Sequence, residues 1–198
     1  MVSLPLAVNT IILYAYYNVP TLIMGAYFPE EFSAEDAVYF RLVAVSGTAA
    51  ALLSLLHQKE VIDDFSNLYS RYLEKRKKVT NSSVIWLYVM LIVIFLCLVC
   101  NYFNFLDEQF IRVLILISCF GIFLLNYLTS NFLLAEQRYK LASFTTLMGF
   151  MVTAALVVLG LAFLKEDAIF CLSSSIFAGV FLSALLRCRF LKREYCAT

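Results

Sequence analysis

Long apolar runs separated by short charged turns constrain this chain more than any other feature. Residues 111–134 form one such run, and the next begins at residue 141, after a polar turn that contains Glu136, Arg138 and Lys140. A helix needs about 20 apolar residues to cross the hydrocarbon core of a bilayer. Hydrophobic residues make up 63% of the chain, well above the roughly 45–50% of soluble domains. The pattern therefore predicts an integral membrane protein.

Six runs are long enough to span a membrane, so we expect an all-α bundle of six transmembrane helices in one membrane domain over residues 1–198. The predicted spans are residues 4–27, 38–56, 84–103, 111–134, 141–164 and 168–186. Asn18 and Pro20 are expected to break or kink the first span, because proline removes a helical hydrogen bond. The first run also lacks the basic start and the small-residue cleavage site of a signal peptide.

Basic residues predict the orientation of these helices, because lysine and arginine collect in cytoplasmic loops. Twelve of the 15 lie in the loop at 58–83, in the turn at 138–140 or in the C-terminal tail, whereas the opposite loops are acidic. Both termini and the 58–83 loop are therefore expected in the cytoplasm. The net charge of +1 gives no reason to expect a nucleic acid partner.

Residues 58–78 of the long loop have an amphipathic pattern. Apolar residues recur there at helical spacing, and Asp63, Asp64 and Glu74 are expected to face away from them. The segment ends in four basic residues at 75–78, which suit the anionic headgroups of lipids. Two interpretations stay open: a membrane-surface helix coupled to transport, or a connector that lies on the bilayer.

Small residues at four-residue spacing mark the second and sixth predicted spans. In the second span, Gly47 and Ala51 lie beside a stripe formed by Ser46, Ala50 and Ser54. In the sixth, the stripe is Ser175, Gly179 and Ser183. Small side chains let helix backbones approach closely in lipid. We therefore interpret these residues as packing positions, although the same spacing could line a polar cavity.

Polar residues inside the spans are the best candidates for binding a substrate, because burying them in a membrane is costly. Arg41 and Arg112 lie near the predicted outer ends of the second and fourth spans. They would attract an anionic ligand if they face a cavity, or else extend to the outer headgroups. Four asparagines could bind a polar headgroup or form hydrogen bonds between helices. They are Asn9, Asn18, Asn126 and Asn131.

The sequence contains no recognisable enzyme motif. His57 has no carboxylate or thiol at metal-binding spacing, and the pair Cys97 and Cys100 lies inside an apolar run. A glycine-rich phosphate loop and a nucleophile elbow are also missing from the sequence. We therefore expect a protein that is not an enzyme and that has neither a metal site nor a cofactor.

Several segments resemble one six-helix half of an O-antigen-type polysaccharide flippase of the multidrug/oligosaccharidyl-lipid/polysaccharide exporter superfamily. Residues 3–9 look like the opening of the first helix of the second half, and residues 37–42 look like the start of its second helix. The 58–78 segment lies where that family has a helical connector, and residues 130–140 look like its fourth-to-fifth turn. The chain departs from the family pattern at residues 20–21 and 164–167.

The resemblance implies a transport function in the inner membrane of a bacterium. Such a protein would move a lipid-linked oligosaccharide across the bilayer during surface polysaccharide biosynthesis. Because the family surrounds a central cavity with two six-helix halves, the chain would need a second half, either another copy or a missing amino-terminal part. A non-transporting assembly subunit and a receptor or channel fragment remain as alternatives.

Overall fold

The computed structural model describes residues 34–102, 108–163 and 168–193 continuously, together with residues 11, 15, 18, 22, 23, 25 and 26. The continuous ranges form five α-helices. These are α1 (Ala34–Asn67), α2 (Tyr69–Tyr102), α3 (Glu108–Ala135), α4 (Tyr139–Phe163) and α5 (Ala168–Arg193). The all-helical class predicted from the sequence is confirmed. The first predicted span lies outside the described residues, apart from those isolated positions.

Helices α1 and α2 share the 58–78 segment between them. α1 extends the second predicted span to Asn67, and α2 starts at Tyr69 and continues into the third predicted span, so the basic run at 75–78 does not end a helix. The Lys75 ammonium lies 2.8 Å from a Glu60 carboxylate oxygen. Residues 15 positions apart would be about 22 Å apart along a straight helix. The chain therefore turns back at Leu68, next to a Ser66 hydroxyl that donates to the Ile62 carbonyl, a contact that often bends helices.

Helix α3 occupies the centre of the bundle. It packs against α1, α2, α4 and α5, and the other extensive contact joins α4 to α5. The main core contains buried apolar residues from all five helices, with Phe40, Phe123 and Ile176 among them. Phe40 and Phe123 are almost fully buried, so the middle of the bundle is held by ordinary apolar packing.

A second apolar cluster, the end core, lies where α1 and α2 meet the α3–α4 turn and the end of α5. Its buried members are Val61, Tyr72, Phe132, Leu133, Ala135, Ala142 and Leu191. Because Leu191 comes near the end of α5 and Ala135 ends α3, the end core closes one end of the bundle. That end carries most of the basic residues of the chain.

The outer surface of the bundle is strongly apolar. Four helices contain segments that are long and apolar enough to cross a membrane among the described residues. These segments are Ala37–Asn67, Arg112–Ala135, Tyr139–Gly160 and Leu172–Lys192. Large apolar side chains such as Leu56, Ile85 and Val158 are at least 64% exposed, which fits contact with lipid tails. The chain thus has the architecture of a membrane protein.

Candidate functional site

Arg187 is the largest fully buried side chain among the residues that the structure describes, although the sequence placed it in a basic tail. It lies in the last third of α5 and is only 2% exposed. Its Nε donates to the Thr145 hydroxyl at 2.9 Å, and Nη1 donates to the Asn126 carbonyl at 2.7 Å and to the Asn126 side-chain oxygen at 2.9 Å. Nη2 donates to the Thr146 hydroxyl and to the Ala142 carbonyl. One guanidinium therefore joins α3, α4 and α5.

This arrangement suits an arginine better than a lysine. The guanidinium presents five N–H donors in a fixed planar fork, and here they meet oxygens on two neighbouring helices. Burying a charge away from water is unfavourable unless its donors are satisfied. The Arg187 contacts meet that demand with backbone carbonyl, amide and hydroxyl oxygens.

Further buried polar groups lie along the interior of the bundle beyond Arg187. The Asn131 side-chain amide donates to the Ser54 carbonyl on α1 at 2.9 Å, and the Thr153 hydroxyl on α4 donates to the Ser175 carbonyl on α5 at 3.1 Å. Of the candidate asparagines, Asn126 and Asn131 are therefore engaged in interhelical hydrogen bonds. We define the polar seam as Asn126, Thr129, Ser130, Asn131, Thr145, Thr146, Thr153, Ser175, Ser183 and Arg187, all of which are buried.

The small-residue stripes lie inside the bundle. Gly47, Ser175, Gly179 and Ser183 are buried, and Ala51 is half-buried. The Ser183 hydroxyl has no hydrogen-bond partner among the residues that the structure describes. Close approach between helices requires small side chains in this position. The stripes therefore lie at helix contacts and, in α5, also line the polar seam.

A second buried arginine, Arg76, lies in the end core. It forms a salt bridge with Glu136 of the α3–α4 turn, and its Nη2 donates to the Leu191 carbonyl of α5 at 2.8 Å. The Tyr72 hydroxyl donates to the same Glu136 carboxylate at 2.6 Å. Burial, with the hydrogen bond to Glu136, raises the pKa of Tyr72 well above its ordinary value. The α3–α4 turn is thereby fastened to α2 and, through Arg76, to α5.

The turn that carries Glu136 is a Schellman motif at the end of α3. The Arg138 N–H donates to the Leu133 carbonyl at 2.8 Å, and the Gln137 N–H donates to the Leu134 carbonyl at 3.0 Å. Gln137 adopts a φ of 58°, a position that glycine usually fills. The motif reverses the chain within a few residues and so places Glu136 against Arg76.

A more exposed charge network joins α1 to α2 beside the turn at Leu68. Lys75 lies 2.8 Å from Glu60 and 3.1 Å from Asp64. Burial lowers the pKa of Lys75, but the hydrogen bonds to these two carboxylates raise it more, so its pKa is above the ordinary value. Asp64 was expected to face away from the apolar residues of the 58–78 segment, but its burial was not predicted. It is buried because α2 folds back over it and supplies the basic partner.

The predicted anion-binding arginines lie towards the opposite end of the bundle from the end core. Arg112 is half-buried on α3, close enough to the buried Tyr39 hydroxyl to interact electrostatically. Arg41 is exposed and lies about 200° around α1 from Tyr39. Within one chain, the two arginines therefore point to different sides of α1. Asn18 is half-buried, and Asn9 lies outside the described residues.

Sequence reasoning missed Arg187 and the pair Arg76 and Glu136. One signal could have found Arg187, because it continues the four-residue spacing of Ser175, Gly179 and Ser183 onto the same side of α5. Arg76 had no such signal within its uniformly basic run. Groups of His, Cys, Asp or Glu that could hold a metal ion are absent from the part of the chain that the structure describes.

Comparisons with known proteins do not assign the chain to a family. No protein-family model, no curated protein and no solved structure matches it.

Proposed function

We propose that this chain is one half of a membrane transporter that moves a lipid-linked oligosaccharide across the bacterial inner membrane for surface polysaccharide biosynthesis. The observation that carries the proposal is the buried polar seam around Arg187 within helices of membrane-spanning length. Polar side chains inside a membrane domain are costly and are characteristic of transport pathways.

The proposal includes six transmembrane helices, with both termini and the 58–83 loop in the cytoplasm. Support for that orientation comes from the basic residues, because the end core lies at the same end as twelve of them. The twelve are Lys59, Arg71, Lys75, Arg76, Lys77, Lys78, Arg138, Lys140, Arg187, Arg189, Lys192 and Arg193. In this orientation, the end core and Arg187 lie towards the cytoplasm, and Arg41 and Arg112 lie towards the outer surface.

A second six-helix half completes the substrate path in this proposal, either as another copy of the chain or as an amino-terminal half. Arg41 is exposed on the side of α1 away from Tyr39, where a second half could cover it. Arg41 and Arg112, on different sides of α1, are the two candidates to hold the anionic diphosphate of the lipid carrier. Asn9 and Asn18 would contribute polar contacts to the headgroup. Asn126 and Asn131 would do so on exchanging their present partners, Arg187 and the Ser54 carbonyl.

A second candidate function is a membrane assembly subunit that transports nothing. The observation in its favour is that Asn126 binds Arg187 and Asn131 binds the Ser54 carbonyl, so both amides already serve contacts between helices. In that case the polar seam would give the bundle a specific packing arrangement. The two functions differ in what they demand of Arg41 and Arg112.

Charge reversal separates the two functions in cells of the source organism. Arg41→Glu and Arg112→Glu are introduced into the full reading frame, with Lys59→Glu as an exposed control in the cytoplasmic loop. The transport proposal expects surface polysaccharide to fall at least tenfold for the arginine variants, with normal membrane insertion and a normal control. Normal export by both arginine variants would overturn the anion site.

A bulky substitution at a helix contact tests the assembly function. Gly179→Leu inserts a large side chain into the buried stripe of α5, so an assembly subunit would lose its complex. Cross-linking of membranes followed by gel electrophoresis measures the complex. If Gly179→Leu leaves assembly unchanged while the arginine variants lose export, the assembly function is rejected.

A further inference from the structure

One face of α2 carries exposed basic residues at one end and exposed apolar residues along the rest. Residues 78, 82, 85, 89, 92 and 96 follow one another at intervals of three or four, so they share this face. Lys78 and Ser82 are exposed, and the four apolar side chains that follow are 39–64% exposed. These four are Ile85, Val89, Ile92 and Leu96. We call this stripe the α2 outer face.

The α2 outer face points away from the bundle. Arg76, which lies about 160° around the helix from Lys78, is buried against Glu136 and Leu191. The side of α2 opposite Arg76 therefore lies on the outer surface of the bundle. Eight large apolar side chains between residues 85 and 96 are exposed, which would be unfavourable in water and suits lipid tails.

Distances along the helix match one leaflet of a bilayer. Lys78 and Val89 are 11 residues apart, or about 16 Å along the axis. This is close to half of the roughly 30 Å hydrocarbon core. A lipid whose headgroup lies at Lys78 can therefore lay an acyl chain along Ile85 and Val89.

The positive charge at the Lys78 end of the α2 outer face favours an anionic lipid. Arg71 lies on the same face two turns before Lys78; it is 68% exposed, and its Nε lies 3.8 Å from an Asp64 carboxylate oxygen. Lys77 is exposed beside Lys78. Asp64 offsets the charge of Arg71, and Glu74 is the exposed acidic residue nearest to Lys77 and Lys78, so these two lysines still outnumber it. We infer that the α2 outer face binds an anionic phospholipid, with its phosphate at Lys77 and Lys78 and an acyl chain along Ile85 and Val89.

Trp86 supplies a local probe for this lipid. It is the single tryptophan of the chain, it is 53% exposed, and it adjoins Ile85. The purified protein is reconstituted into phosphatidylcholine vesicles that contain a fixed fraction of phosphatidylglycerol. Bromine is placed on the acyl chains of one lipid or the other at equal mole fraction, and quenching of Trp86 fluorescence reports which lipid is next to α2.

The inference predicts at least twofold stronger quenching by brominated phosphatidylglycerol than by brominated phosphatidylcholine. Lys77→Gln/Lys78→Gln should bring this ratio close to one, and Glu74→Gln should raise it. Lys140→Gln, at an exposed basic residue of α4, is the matched control and should leave the ratio unchanged.

Equal quenching by the two lipids in the unchanged protein would overturn the inference, as would a preference that persists in Lys77→Gln/Lys78→Gln. Added inorganic phosphate tests for a simple anion site. If millimolar phosphate removes the preference at constant ionic strength, the lysines bind free anions and the lipid site is rejected. This test is independent of the transport proposal, because it measures fluorescence of the purified protein and not export of surface polysaccharide.

Discussion

Arg76 and Arg187 are both buried near the same end of the bundle, but different partners hold them. Arg76 meets the Glu136 carboxylate and the Leu191 carbonyl, whereas Arg187 meets carbonyl, amide and hydroxyl oxygens of Asn126, Ala142, Thr145 and Thr146. The first is a charge pair that fastens a turn. The second is a hydrogen-bonding hub between three helices inside the membrane-spanning region.

The comparison shows how buried charge is distributed in this protein. Losing one member of a buried charge pair strongly destabilises the fold, because the other charge stays buried without its partner. Losing the arginine from a hub of neutral acceptors should lower the free energy of unfolding by less, because the remaining hydroxyls can rotate towards other acceptors. We therefore expect the hydrogen bonds of the polar seam to exchange partners at a lower cost than the Arg76–Glu136 pair, a property that a transport path through the interior would require.

The largest effect is expected from Glu136→Leu. It leaves the Arg76 guanidinium buried without this carboxylate and should lower the free energy of unfolding by about 3–5 kcal/mol. Glu74→Leu, at an exposed glutamate of α2, should change it by no more than about 0.5 kcal/mol. Unfolding in mixed detergent micelles measures both. Arg76→Met/Glu136→Leu removes both charges and should recover most of the loss, so a double variant as weak as Glu136→Leu would contradict the charge-pair assignment.

A smaller loss is expected from Arg187→Met. The charge disappears, and the Asn126 side-chain oxygen and two backbone carbonyls lose their donor, which should cost about 1–3 kcal/mol in the same assay. Arg189→Met is the control, because Arg189 is exposed two residues later on α5. A loss for Arg187→Met that exceeds the loss for Glu136→Leu would reverse the comparison.

Alkaline pH should weaken the end core through Tyr72. Its pKa is raised in the folded protein above the ordinary 10.0, so the unfolded chain releases the phenolic proton first. Stability from this group is complete below about pH 10 and falls as the pH rises further. Tyr72→Phe should lose this part of the alkaline dependence, whereas the exposed Tyr69→Phe should keep it. Unfolding measured between pH 8 and pH 11 that shows identical slopes in both variants would exclude the effect.

The smallest effect should be a gain in stability. Gln137 has a φ of 58°, which glycine adopts without steric cost, so Gln137→Gly should raise the free energy of unfolding by about 0.5 kcal/mol. Gln58→Gly, inside α1, should instead lower it by about 1 kcal/mol. A loss from Gln137→Gly would mean that the Gln137 side chain contributes more to the turn than its backbone strain costs.

Apolar run length predicted the second, fourth, fifth and sixth spans, which correspond to helices that are long and apolar enough to cross a membrane. Periodicity alone could not reveal that the chain turns back at Leu68, because no glycine or proline marks that point. The burial of Asp64 could not be predicted for the same reason, since it depends on Lys75 and Arg71 returning along α2.

The candidate site was only partly predictable. Asn126 and Asn131 were recognised as polar residues within a span, and the structure gives them partners on α5 and α1. From the sequence, Arg187 and Arg76 could not be distinguished from the other basic residues expected on the cytoplasmic side. Their partners lie 41–61 and 60–115 residues away in the sequence, so only tertiary packing reveals that they are buried.

Deletion of the gene for this chain in its source organism tests the transport account most directly. The cells are assayed for polysaccharide at the surface and for lipid-linked oligosaccharide held in the inner membrane, with and without a plasmid copy. The account predicts loss of the surface polymer and accumulation of the lipid-linked precursor, both reversed by the unchanged copy and not by Arg112→Glu. Normal surface polymer with no accumulated precursor in the deletion strain would contradict it.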